Sequence, residues 1–149
     1  MAYEKEKKEI MEAMAAGDDA IYYLEGAMEK LNSAGNWGIA DILGGGMIIS
    51  AVKRSRMREA QREMEKAKQA MMRFSREVAD VDRTMNTDLD LDGFMGFADF
   101  FFDSFFIDMM VQSKINDAKR QIQAALEQVE EVCDILDAML RRYEKAEQI

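Results

Sequence analysis

Histidine and proline are both absent from the 149 residues, and cysteine and tryptophan occur once each. Without imidazole there is no Ser-His-Asp triad, no Cys-His pair, no zinc site with histidine ligands and no Glu-x-x-His di-iron motif. A lone cysteine, Cys133, cannot close an internal disulfide. It falls among apolar positions of a predicted helix and reads as a small buried hydrophobe, not a nucleophile. The missing proline removes the commonest marker of loops and helix ends, so long helices with few irregular joins are expected. Residues 1–12 are charged and hold no apolar run, so no export signal is expected. With only one thiol, the expected home is the reducing cytoplasm.

What the chain does contain is globular in balance, with 48% hydrophobic and 33% charged residues, enough for a single helical domain over residues 1–149. Fourteen methionines supply unbranched, polarizable side chains that fill irregular core gaps and suit surfaces that repack. The net charge of −9 repels nucleic-acid backbones and anionic lipid, so neither is an expected partner. The charge is unevenly spread. Between Lys53 and Arg76 nine basic residues face three acidic ones, whereas residues 1–30 and 88–149 are both acidic. Neighbouring acidic helices can supply the counter-charge for a basic middle helix.

One stretch occurs twice, 58 positions apart. Gly35-Asn36-Trp37-Gly38-Ile39-Ala40-Asp41 is echoed by Gly93-Phe94-Met95-Gly96-Phe97-Ala98-Asp99, and Ser55 through Ala60 by Ser113 through Ala118. A fixed-period match implies one supersecondary unit used twice, here 35–85 and 93–143, related by an approximate internal two-fold. Each copy runs into a long amphipathic segment. The first copy has Met57, Ala60, Met64, Ala67, Met71, Phe74, Val78, Val81 and Met85 in unbroken three-four alternation. In the second, Ile115, Ala118, Ile122, Ala125, Val129, Val132, Leu136, Met139 and Tyr143 stand at those positions plus 58. An earlier segment carries Ile10, Met14, Gly17, Ile21, Leu24, Met28 and Leu31. Seams of this period must be buried against other helices. Leu126, Cys133 and Leu140 widen the last seam, so that helix is expected to contact two neighbours.

The joins at 39–52 and 94–111 are too apolar for passive loops, and a short re-entrant helix is expected in each, begun near Asp41 and Asp99. Those carboxylates would then complement helix N-termini. Gly44-Gly45-Gly46 could cradle a phosphate, but no Gly-Lys-Ser/Thr follows; close helix crossing explains the glycines as well. Asp88-Leu89-Asp90-Leu91-Asp92-Gly93 opens like a calcium loop, with Asp99 at its twelfth position. Asp88, Asp90, Asp92 and Asp99 are therefore candidate ligands for calcium or magnesium, although the repeat already accounts for Asp99. In the Phe-rich segment Asp103 and Asp108 need cations or N–H donors if buried, with Lys53, Arg54 and Lys114 as candidates.

Trp37-Gly38 between two helices and Tyr143-x-x-x-Glu147 near the end resemble the Trp-x-Gly turn and Tyr-x-x-x-Asp/Glu tail of type VII secretion substrates, which are helical hairpins. The run Ser33 to Gly38 with Asp41, Gly44, Gly45, Gly46 and Lys53, followed by Phe102-Asp103, Asp108 and Ile115, resembles a family of small bacterial helical proteins with a Trp-Gly-x-x-Asp-x-x-Gly-Gly-Gly signature. That resemblance implies a helical fold and no activity.

The expected fold is all-α: three long antiparallel helices in a coiled-coil-like bundle. The expected role is non-enzymatic protein–protein interaction, with catalytic residues and resident cofactors absent and with itself or another protein as partner. The alternatives are membrane association through 39–52 and 94–111, divalent-metal binding through the aspartate run, and a role in type VII secretion.

Overall fold

The computed structural model describes residues 4–42, 47–85, 96 and 115–148, with side chains over 4–32, 55, 58, 59, 61–83, 96 and 119–148. The chain is all-α. Three long helices are formed, α1 (Glu4–Ile42), α2 (Met47–Met85) and α3 (Ile115–Glu147), with no strand among the described residues. Helices of 39, 39 and 33 residues reach about 58 and 50 Å at ~1.5 Å per residue. Charged groups complement the backbone dipole at two ends, Glu4 and Glu6 in the first turn of α1 and Arg83 in the last turn of α2. Among the described residues no helix is long and apolar enough to cross a membrane.

The first join departs from expectation. Ile39 to Ile42 are the last turn of α1 and Met47 to Val52 the first turns of α2, so among the described residues no separate short helix lies there. Propagating a formed helix costs little where nothing breaks it, so the two apolar runs extend the long helices. Trp37 and Gly38 are accordingly inside α1, not in a turn between helices. The second join lies outside the described residues.

Two sets of contacts define the packing. Lys30 pairs with Glu59 at 3.4 Å and Asp19 with Arg73 at 3.6 Å, so α1 and α2 are antiparallel. Lys7 pairs with Glu147 at 2.9 Å, and a side chain at Gly17 would meet Cys133, so α1 and α3 are also antiparallel. It follows that α2 and α3 run the same way. Helix α1 packs on both, more extensively on α2, while α2 and α3 do not approach one another at backbone distance among the described residues. Among the described residues the helix between two neighbours is thus α1, while α3, whose wider seam suggested two, packs at backbone distance on α1.

That position explains the composition of α1. Its buried face holds Ile10, Leu24 and Leu31, but also Ala13, Ala16, Ala20 and Ala27 at 0% exposure, which the three-four seam did not include. A helix flanked on two sides needs a wide apolar arc, and alanine widens it while letting the neighbours come close. Met14, Ile21 and Met28 are partly buried against the core. They continue the flank of Lys7 at seven-residue steps, toward α3.

In α2 the seam is buried wherever side chains are described: Met64, Ala67, Met71, Phe74, Val78 and Val81. The same holds in α3 for Ile122, Ala125, Val129, Val132, Leu136 and Met139. Each of the second six is the 58-residue twin of the first. The core of the described residues contains no polar or charged side chain.

At Gly17 the three helices meet. A Cβ there would stand 2.9 Å from Phe74 Cε1 and 3.3 Å from Cζ, and closer still to Cys133 Sγ. A side chain here would press on two neighbours at once, so the junction favours glycine. Phe74 has its twin at Val132, beside Cys133. The repeat is therefore realised as two parallel helices in register on the two flanks of α1, with twin positions at nearly the same height.

Candidate functional site

The residues singled out by their spacing divide into two groups. Trp37 and Asp41 lie in α1 and Lys53 and Arg54 in α2, with side chains outside the described residues. Gly44, Gly45, Gly46, Asp88, Asp90, Asp92, Asp99, Asp103, Asp108 and Lys114 lie outside the described residues altogether, so the metal run and the phosphate reading do too. One assignment changes. Asp41 stands in the last turn of a helix, where the dipole disfavours a carboxylate, and not at the N-terminus that capping requires.

The described surface has its own chemistry. Three carboxylates, Glu9 and Glu12 of α1 and Glu77 of α2, bring oxygens within 4.8 Å of one another. All three are half-buried. Lys8 lies 3.8 Å from Glu12, and this ion pair offsets part of the repulsion among them. Linear spacing could place Glu9 beside Glu12 but not Glu77 opposite them, because that contact depends on the register between α1 and α2.

Cys133 is half-buried at the α1–α3 contact. Burial pushes its thiol up to about 12, and the negative charges of Asp18, Asp134 and Glu130 add to the rise. The thiolate is the reactive form, so this sulfur is held inert at neutral pH. Near the end of the bundle the Lys7 ammonium is held above its usual 10.5, chiefly by the hydrogen bond it donates to Glu147 and then by the charges of Glu144 and Glu4. That pair ties the start of α1 to the end of α3. An open hollow of about 420 Å³ on the outer side of α1 is lined by Glu4, Lys7, Lys8, Met11, Glu12 and Ala15.

The outward faces of α2 and α3 differ most. On α2, Arg58, Arg62 and Arg76 are exposed and form no ion pair among the described residues. They recur four and fourteen positions apart, which is one helical face. Met72 lies on that face at 51% exposure. Arg73, beside it, reaches Asp19 at 3.6 Å with about half its side chain still open. On α3, Glu127, Glu130, Glu131 and Asp134 are exposed over two turns, and residues 121–140 contain no basic residue. Glu127 accepts a hydrogen bond from Gln123 at 3.5 Å. The nearest ion pair beyond the patch is Asp137 with Arg141, at 3.0 Å.

This geometry can attract and orient another charged surface. Comparison with known protein families, with curated proteins and with solved structures finds no match to the chain.

Proposed function

We propose that this chain is a non-enzymatic helical module for protein–protein contact in the cytoplasm, and that it associates with copies of itself. The observation that carries the proposal is the open arginine face of α2: Arg58, Arg62 and Arg76 unpaired among the described residues, with Met72 exposed among them. Arginine is weakly hydrated for a cation and presents a planar fork of donors to carboxylates, so an arginine stripe around an apolar side chain suits a protein surface. Met11 at 56% and Tyr22 at 70% exposure add apolar area on the outer side of α1. An inert Cys133 and an apolar core agree with a role carried by surface and shape.

Sedimentation over a range of concentrations tests the proposal. The expected result is concentration-dependent association that weakens as salt rises, since salt screens exposed charge over a Debye length of about 10 Å at 0.1 M. A monomer at every concentration, indifferent to salt, overturns it.

A further inference from the structure

The two helices that repeat one another bury the same face and, at mid-helix, expose opposite charge. Gln69, Met72, Arg73 and Arg76 of α2 have Glu127, Glu130, Glu131 and Asp134 of α3 as their 58-residue twins. Because α2 and α3 lie parallel and in register against α1, the basic residues and the acidic patch stand at the same height on the outer faces of two different helices. Each lies on the face turned away from its own buried seam. Glu130, Glu131 and Asp134 form no ion pair among the described residues, and neither does Arg76. What one flank lacks, the other carries at the same height.

Such a molecule is complementary to a copy of itself displaced sideways. We infer that copies of this chain associate head to tail, the outer face of α2 on one copy against the outer face of α3 on the next, with the two helices parallel. In that arrangement Arg73 and Arg76 stand level with Glu131 and Asp134 of the neighbouring copy. The contact is heterologous: each copy uses two different surfaces, so a dimer still offers one free face of each kind and growth continues to a ring or an open row. An isologous contact of α2 on α2, or of α3 on α3, would set like against like, arginine on arginine or carboxylate on carboxylate. A polyanion such as nucleic acid could also meet the arginines, but the chain's net charge of −9 opposes its approach.

The inference rests on the proposed self-association and adds its surfaces and its symmetry. The test uses two full-length variants, Arg73→Glu with Arg76→Glu, and Glu131→Arg with Asp134→Arg, studied alone and mixed by sedimentation velocity at low salt. All four positions are exposed, and far-UV circular dichroism checks that helix content is kept. The wild type is expected to grow beyond a dimer. Each variant alone should associate about a hundredfold more weakly or worse, because like charges then meet across the contact. Mixing the two should restore association, since every contact in an alternating row again joins opposite charges. Restoration also demonstrates that both variants are folded. Three outcomes overturn the inference while leaving self-association standing: wild-type growth that stops at a dimer, variants that associate as the wild type does, or a mixture no stronger than its parts. A wild type that stays monomeric at all concentrations removes the underlying proposal as well.

Discussion

On their buried sides α2 and α3 are close copies, with Met64, Ala67, Met71, Phe74, Val78 and Val81 matched at a constant offset by Ile122, Ala125, Val129, Val132, Leu136 and Met139. On their exposed sides they part at mid-helix, where Arg73 and Arg76 have Glu131 and Asp134 as twins, while Arg62 and Arg83 keep arginine twins, Arg120 and Arg141. A buried position must fill a fixed space against α1, and close-packed interiors register even a single methylene. An exposed position meets water, where most substitutions cost little. The same backbone unit can therefore hold one packing solution and present two different surfaces. The flanks are not energetically identical even inside, because α1 contacts α2 over more of its length and Phe74 is much larger than Val132.

That difference can be broken directly. Phe74→Ala should cost about 3–5 kcal/mol. Val132→Ala removes two methyl groups and should cost about 1–2 kcal/mol at ~0.8 per buried carbon. Urea denaturation of the two variants measures both, and equal losses would show that the flanks contribute alike.

Cys133 sharpens the contrast chemically, since its α2 twin is Ser75 and only the α3 flank holds a thiol. With the folded thiol pushed up to about 12 from an ordinary 9.0, alkylation at pH 8 should be at least about a hundredfold slower than in the urea-unfolded chain. The sign of the linked stability follows. Below pH 9 both states hold the proton and the contribution is whole; between pH 9 and 12 only the unfolded state ionises, so stability falls as pH rises. Equal alkylation rates, or stability flat through that window, would place the sulfur in water.

Glycine substitutions test where all three helices meet. Gly17→Ala pushes a methyl group against Phe74 and Cys133 at once. Overpacking of about 1–3 kcal/mol is offset by about 1 kcal/mol of helix propensity, for a net loss of up to about 2 kcal/mol. Adding Cys133→Ala should return part of it by removing the nearest atom. At Gly26 the added carbon meets only the flexible end of Glu63, at 3.0 Å, so Gly26→Ala should be neutral or stabilising by up to about 1 kcal/mol. Thermal melts that rank the two glycines the other way would remove the three-helix junction.

The smallest effect concerns the α1–α2 flank alone. Glu77→Gln relieves the crowding of three carboxylates and should raise stability by about 0.2–0.5 kcal/mol. A lower melting temperature would mean that Glu77 has a favourable partner.

The helices, their seams and the 58-residue period were legible in the sequence because burial on one helical face leaves a periodic trace. Three features were not. The alanine arc of α1 escaped because alanine is only weakly hydrophobic, so Ala13, Ala16, Ala20 and Ala27 carry little signal until two neighbours are known to press on them. The continuation of α1 through Trp37 and Asp41 escaped because glycines and a tryptophan suggest a turn, whereas nothing in 35–42 forbids a helix. The acidic trio and the opposed outer faces depend on register between helices, which no linear spacing contains. The charge imbalance along the chain was visible, but its arrangement at one height on two helices required that α2 and α3 be parallel.

The central place of α1 has a consequence for how the molecule is made. Of the three helices it leaves the ribosome first, and it alone offers a docking surface to both of the others. Helix α2 can zip onto it as a hairpin of local contacts. Helix α3, arriving last, finds its seat on α1 already built, with Phe74 of α2 beside the place where Cys133 settles. A lesion that frays α1 would strand both followers at once, whereas the loss of α3 would leave a hairpin still able to hold together.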